Sequence, residues 1–169
     1  GRPLRRGMQD LLTDMLPDLR FDATRPLATQ FGLSSSQQVD LVLEIGFGGG
    51  EHLAGLAEAN PAVNFIGAEP FVNGVASLLR HIQKRQLSNV RIWDDDVRLI
   101  MPALPVAGLS QAFIMFPDPW PKKRHWKNRL INPTFLNKLA ERCLRGCRLY
   151  FRTDHEEYFD WAFQTLESI

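Results

Sequence analysis

The segment Phe116-Pro117-Asp118-Pro119-Trp120-Pro121-Lys122-Lys123-Arg124-His125-Trp126-Lys127-Asn128-Arg129 holds the densest set of reactive and binding side chains in the sequence. Prolines at 117, 119 and 121 stiffen the chain and forbid a helix. Asp118 is fixed between two of them, as a catalytic carboxylate would be. Lys122, Lys123, Arg124, Lys127 and Arg129 add fixed positive charge, and Trp120 and Trp126 offer flat stacking faces. Aromatic and basic side chains interleaved in this way suit unpaired bases with nearby phosphates. A merely solvated basic loop has no need of so rigid an entry.

A second constellation is Glu44-Ile45-Gly46-Phe47-Gly48-Gly49-Gly50-Glu51. Glycines allow a sharp turn and a close approach of backbone to ligand. The dinucleotide fingerprint G-x-G-x-x-G would need glycine where Glu51 stands; the match is to E-x-G-x-G-x-G, through Gly46, Gly48 and Gly50. A pyrophosphate favours a helix N-terminus without nearby acid. An acid at each end of the glycine run instead suits a ligand with a positive end, such as the ammonium and sulfonium of S-adenosylmethionine. Glu69 ends the next apolar run and can accept from both hydroxyls of an adenosine ribose. Asp94-Asp95-Asp96 is a solvent-facing loop in the simplest reading, with one of the three able to accept from an adenine amino group. His52, His81, His125 and His155 have no partner spacing of a metal site or triad, and no metal is expected. Each reads as structural or surface, with His125 the exception as a candidate RNA contact.

Elements that alternate must position these groups. Met8, Leu11, Leu12, Met15 and Leu16 give helical spacing that Pro17 should stop. A polar stretch at 34–38 reads as a linker, so residues 1–38 form a helical appendage and 39–169 the main domain. Strands are expected at 40–45, 63–68, 90–93, 111–116 and 149–151, with helices between them. Asn132-Pro133 should cap a helix that runs past Cys143 and Leu144 to Gly146. Asp154 with Glu157 resembles a capping box for the last helix. Repeated βα units imply an open, mostly parallel sheet with helices on both faces, and ligands at the carboxyl ends of its strands.

Phe116-Pro117-Asp118-Pro119-Trp120, followed by Lys122, Arg124-His125 and Lys127, resembles the signature of the bacterial tRNA (guanine-N7)-methyltransferases. The stretch 43–50 resembles their cofactor motif. The resemblance covers most of the chain from about Leu4. It implies an α/β, Rossmann-like class I methyltransferase fold, with S-adenosylmethionine as cofactor and a guanosine of the tRNA variable loop as substrate. It further implies that Glu44, Glu69, Asp96 and Asp118 contact the cofactor and that Asp118 is also the catalytic aspartate. Lys122 and Asp154 would contact the substrate, and Arg124, His125, Trp126, Lys127, Asn128 and Arg129 would touch RNA. The family usually has a basic pair where Asn128-Arg129 stands, and it continues past Ile169 with two further strands, so the sheet is expected to be C-terminally incomplete.

Composition sets the frame for these readings. The chain has 169 residues, 44% hydrophobic and 23% charged, which suits one globular domain. Disorder, collagen and coiled coil are excluded, and no apolar run reaches membrane-spanning length. The N-terminal Gly1-Arg2-Pro3-Leu4-Arg5-Arg6 lacks the apolar run of a secretory signal. Cys143 and Cys147 are too few for a disulfide scaffold, and a cytoplasmic protein is the default. A net charge of +1 leaves any argument for nucleic acid to local clustering. Two rivals stay open at this point: an NAD-dependent oxidoreductase and an RNA-binding module without catalysis.

Overall fold

The computed structural model describes residues 2–169. Two short helices, α1 (Arg6–Asp14) and α2 (Leu16–Leu19), are followed by a further turn, α3 (Leu27–Gln30). Then come β1 (Leu41–Ile45), α4 (Glu51–Ala59), β2 (Asn64–Ala68), α5 (Val72–Arg85), β3 (Val90–Trp93) and β4 (Leu109–Met115). The chain ends with α6 (Pro133–Arg142), β5 (Cys143–Arg152) and α7 (Glu156–Glu167).

The strands form one parallel sheet in the order β3-β2-β1-β4-β5. Alternation along β1 explains its continuous apolar run. Leu41, Leu43 and Ile45 face one core with Phe135, Leu136 and Tyr158, and Val42 faces the other with Leu53, Val75 and Leu78. Glu44 shares the second face, which brings its carboxylate under α4. Leu16 and Phe21 are buried one in each core, so the N-terminal segment is packed onto both. Phe21 also donates its N–H to the Ile92 carbonyl at 2.8 Å.

Three local expectations change. Pro17 does not end the first helical run; it lies in the first turn of α2, where its missing N–H costs nothing. The helix capped by Asn132 stops at Arg142, and the residues expected to continue it open β5. Cys143 pairs with Leu109, the register then shifts so that Arg148 faces Gln111, and the intervening residues bulge around Gly146 at φ +83°. The last helix is capped by His155, whose Nδ1 accepts from the Tyr158 N–H at 3.1 Å, and not by Asp154. The capping at Asn132 is as the sequence predicts, with Oδ1 accepting from the Phe135 N–H at 2.9 Å.

Chain direction changes sides at β1. It proceeds outward through β2 and β3, and β4 returns to the other side of β1. The crevice beyond the carboxyl ends of β1 and β4 is therefore the place where such a sheet receives ligands.

Candidate active site

A cleft of about 760 Å³ opens at that crevice. Its walls include Glu44 near the end of β1, Gly46, Gly48 and Gly49 after it, Glu69 and Phe71 after β2, and Asp95 and Asp96 after β3. Phe116, Asp118 and Trp120 after β4 complete it with Asn128, and β5 adds Arg152 at its own end.

Glu44 is 0% exposed, and His52 on α4 holds its Oε1 through Nδ1. Its Oε2 is buried with no hydrogen-bond partner. Burial lifts this carboxyl above the usual glutamate range, against the opposing pull of His52. A buried, unpartnered carboxylate oxygen is costly. Its position on the cleft wall suits a cationic group of a ligand.

Gly46 takes φ +74°, and a Cβ there would lie 2.9 Å from the Met115 carbonyl of β4. Gly48 takes φ +59°, and a Cβ there would meet no protein atom within 4 Å, because it faces free volume. Glu69 is bound at this turn. One oxygen accepts from the Gly48 N–H at 2.8 Å and the other from the Phe71 N–H at 3.3 Å. Lone pairs remain on both oxygens for ribose hydroxyls. Burial pushes the Glu69 carboxyl up, the two N–H groups oppose that, and the charge of Asp118 adds to the rise. The turn, the fixed carboxylate and the orphan oxygen together fit an adenosyl group with a cationic amino-acid tail.

The three adjacent aspartates are individually partnered rather than simply solvated. Arg20 forks onto Asp94 at 2.8 and 2.9 Å and holds its carboxyl below the usual range. Asp95 accepts from the Asp96 N–H at 2.7 Å. Asp96 caps a 3₁₀ turn and is paired with Arg98, which likewise holds it low. Among the described residues no cluster of His, Cys, Asp and Glu is placed to hold a metal.

The loop after β4 carries backbone strain on both sides of Asp118. Phe116 takes φ +48° and Trp120 takes φ +44°, conformations that cost a non-glycine residue on the order of 1–3 kcal/mol. The Phe116 N–H donates to the Arg152 carbonyl at 2.8 Å, which fixes the entry. Asp118 itself is exposed at the cleft, and the Phe116 ring, 61% exposed, stands at the mouth. Lys122, Lys123, Arg124 and Lys127 are exposed along the following 3₁₀ turn, beside half-buried His125 and Trp126. Asp154 is exposed beyond β5.

Arg129 corrects the sequence reading. It is 0% exposed and turned into the protein, so its guanidinium does not reach a phosphate. Trp126 is also partly committed inward, 5.3 Å from the Trp161 ring. Sequence reasoning missed His52 and Arg152. His52 lies in the first helical turn after the glycine run, where a side chain can reach back to the end of β1. Arg152 is a charged residue at a strand end, which the topology rule marks.

The family described as putative methyltransferase matches residues 38–169. A tRNA (guanine-N(7)-)-methyltransferase of Paramagnetospirillum magneticum is 46% identical over 99% of this chain and 72% of its own length. One from Caulobacter vibrioides is 48% identical over 98% of this chain, again covering 72% of the relative. Among solved structures, an antibiotic related methyltransferase aligns with TM-score 0.62 and 19% identity over 90% of this chain and 77% of the other. A precorrin-6y C5,15-methyltransferase from Geobacter metallireducens gives 0.61 and 13%, over 98% and 75%. These two show the fold. The oxidoreductase reading and the reading as a module without catalysis both yield to these matches. The matches to these relatives span nearly the whole chain, and the chain belongs to the family of bacterial tRNA (guanine-N7)-methyltransferases.

Proposed function

We infer that the chain transfers a methyl group from S-adenosylmethionine to N7 of a guanosine in tRNA, within the variable loop. One observation carries the reading: a single cleft joins the orphan Glu44 oxygen and the Glu69 cradle to Asp118, Trp120 and Asn128, the last two flanking the basic turn.

S-adenosylmethionine supplies a methyl group on a positively charged sulfur. Glu44 receives its cationic tail and Glu69 its ribose, with Gly48 giving it room. Gly46 lets the chain turn past the Met115 carbonyl, and Gly50, expected from the sequence to touch the cofactor, instead lets α5 pack close, since a Cβ there would lie 2.8 Å from Leu78. Asp96 borders the same cleft, near the adenine position. Guanine N7 has a lone pair and no proton, so no base must act before transfer. The chain's task is alignment, exclusion of water and stabilisation of the positive charge that grows on the base. Asp118 does the last, and orients the guanine through its N–H donors. Lys123, Arg124 and Lys127 hold phosphates, with His125, Trp126 and Asn128 beside them on the RNA, and Lys122 and Asp154 contact the target nucleotide.

The test is methyl transfer from labelled cofactor to a tRNA transcript, with the product base identified by mass spectrometry. Parallel calorimetric titrations should give heat with S-adenosylmethionine and none with NAD. Cofactor and tRNA binding without labelled N7-methylguanosine would sink the reading.

A further inference from the structure

Arg129 is a full positive charge with no solvent exposure, and its surroundings are built for it. Its carbon Cζ lies 4.9 Å from the Trp126 ring centre, 4.8 Å from Tyr158 and 4.9 Å from Trp161. Glu157 forks onto its two terminal nitrogens, and the Nη1 contact measures 3.2 Å. The remaining edge of the guanidinium donates to the strained loop: Nε to the Pro119 carbonyl at 2.8 Å and Nη2 to the Trp120 carbonyl at 3.5 Å. Pro119 follows Asp118 directly, and Trp120, like Phe116 before the aspartate, is a non-glycine residue of this loop held at positive φ.

A loop in sparsely populated backbone conformations persists only where its surroundings over-determine it. Here the entry is held by the sheet, through the Phe116 N–H, and the exit by Arg129. The cage around Arg129 is itself anchored to the same stretch of chain. The Tyr158 hydroxyl accepts from the Ile131 N–H at 3.2 Å, and the Trp161 Nε1–H donates to the Ile131 carbonyl at 2.9 Å. Planar fork, ring faces and two carbonyls match a guanidinium and not an ammonium, which is a point charge without a fixed fork.

We propose that Arg129 is a positioning residue: from a cage of Trp126 and the α7 rings of Tyr158 and Trp161 it clamps the Pro119 and Trp120 carbonyls and so aims Asp118 into the cleft. The inference rests on the functional reading above and adds a coupling between α7 and the reacting carboxylate.

The experiment compares wild type, Arg129→Lys, Glu157→Gln, Asp118→Asn and the double variant Arg129→Lys/Asp118→Asn in single-turnover methyl transfer at saturating cofactor and tRNA. Arg129→Lys keeps charge in the cage and loses the fork. Its rate should fall roughly 10- to 100-fold, as expected for a small misplacement of a catalytic group. Cofactor affinity and the salt slope of tRNA binding should stay within about twofold of wild type. In the Asp118→Asn background the same change should cost little more, because the clamp acts through Asp118. Glu157→Gln leaves the arginine in place and should give a smaller loss of the same pattern; it carries the test if Arg129→Lys does not fold. A folded Arg129→Lys as fast as wild type overturns the proposal. So does a lowered salt slope, which would make Arg129 a phosphate contact, or full additivity with Asp118→Asn, which would make its role structural. A wild type that does not methylate tRNA overturns the functional reading and this inference with it. A methylating wild type beside an equally fast variant overturns this inference alone.

Discussion

His52 Nδ1 holds one oxygen of Glu44 and leaves the other buried and bare. Burial raises the Glu44 carboxyl, so the folded protein takes up a proton at a pH where the unfolded chain has lost it. Stability of the ligand-free protein should therefore fall as pH rises through the window just above the ordinary glutamate value. A cationic ligand favours the ionised carboxylate, so cofactor affinity should rise across that window. Calorimetry of S-adenosylmethionine binding against pH checks this, and Glu44→Gln should flatten the profile. A wild-type affinity that is independent of pH there would separate Glu44 from the cationic end of the cofactor.

Two glycines with the same backbone requirement should behave differently. Gly48 and Gly146 both take positive φ, and a Cβ at either meets no protein atom within 4 Å. Alanine at either site should cost about 1–2 kcal/mol of stability through the left-handed backbone. Only Gly48→Ala should also weaken the cofactor, because only Gly48 lines the cleft. Equal affinities in the two variants would remove the turn from the binding site. Glu69→Ala, measured alongside, should lose about 1–3 kcal/mol of binding, as for hydrogen bonds to a charged acceptor.

Asp118→Asn should fold and lose about 10²–10³-fold in single-turnover rate, or roughly 3–4 kcal/mol of transition-state stabilisation. Saturating cofactor is needed, since the same carboxylate stands at the cofactor cleft. A rate that climbs about tenfold per pH unit through neutrality, and does so in the variant too, would assign an essential base elsewhere.

Neutralising Lys123, Arg124 and Lys127 together should weaken tRNA binding. The slope of log K against log salt should drop by about 0.7–0.9 for each phosphate the variant no longer neutralises. Cofactor affinity should not change. A slope that does not move leaves these side chains a solvated face.

Much of this site is legible in the sequence because it follows from period and position. The apolar run at β1, the glycines after it, Glu69 at the end of β2 and Asp118 at the end of β4 are local patterns, and one topology rule gathers them into a single cleft. Arg129 is not legible. In sequence it is one charge among five in a basic stretch, and its burial depends on rings at 126, 158 and 161 that only the packing of α7 brings together. The end of α6 is hidden for a related reason: Cys143 and Leu144 continue a helical spacing, and the pairing of Cys143 with Leu109 overrides it. His52 reads as structural or surface in the sequence because its partner, Glu44, lies on another element.

The clamp on the Asp118 loop also imposes an order in time. Glu157 follows Arg129 by 28 residues, so during synthesis the basic, tryptophan-bearing loop exists for about 1–6 s before its counter-charge has been made. Over that interval the arginine has neither the α7 rings nor its carboxylate partner, and nothing holds it against the Pro119 and Trp120 carbonyls. The nascent chain thus presents a basic, aromatic loop before the Asp118 carboxylate is clamped, and docking of α7 is the event that closes the clamp.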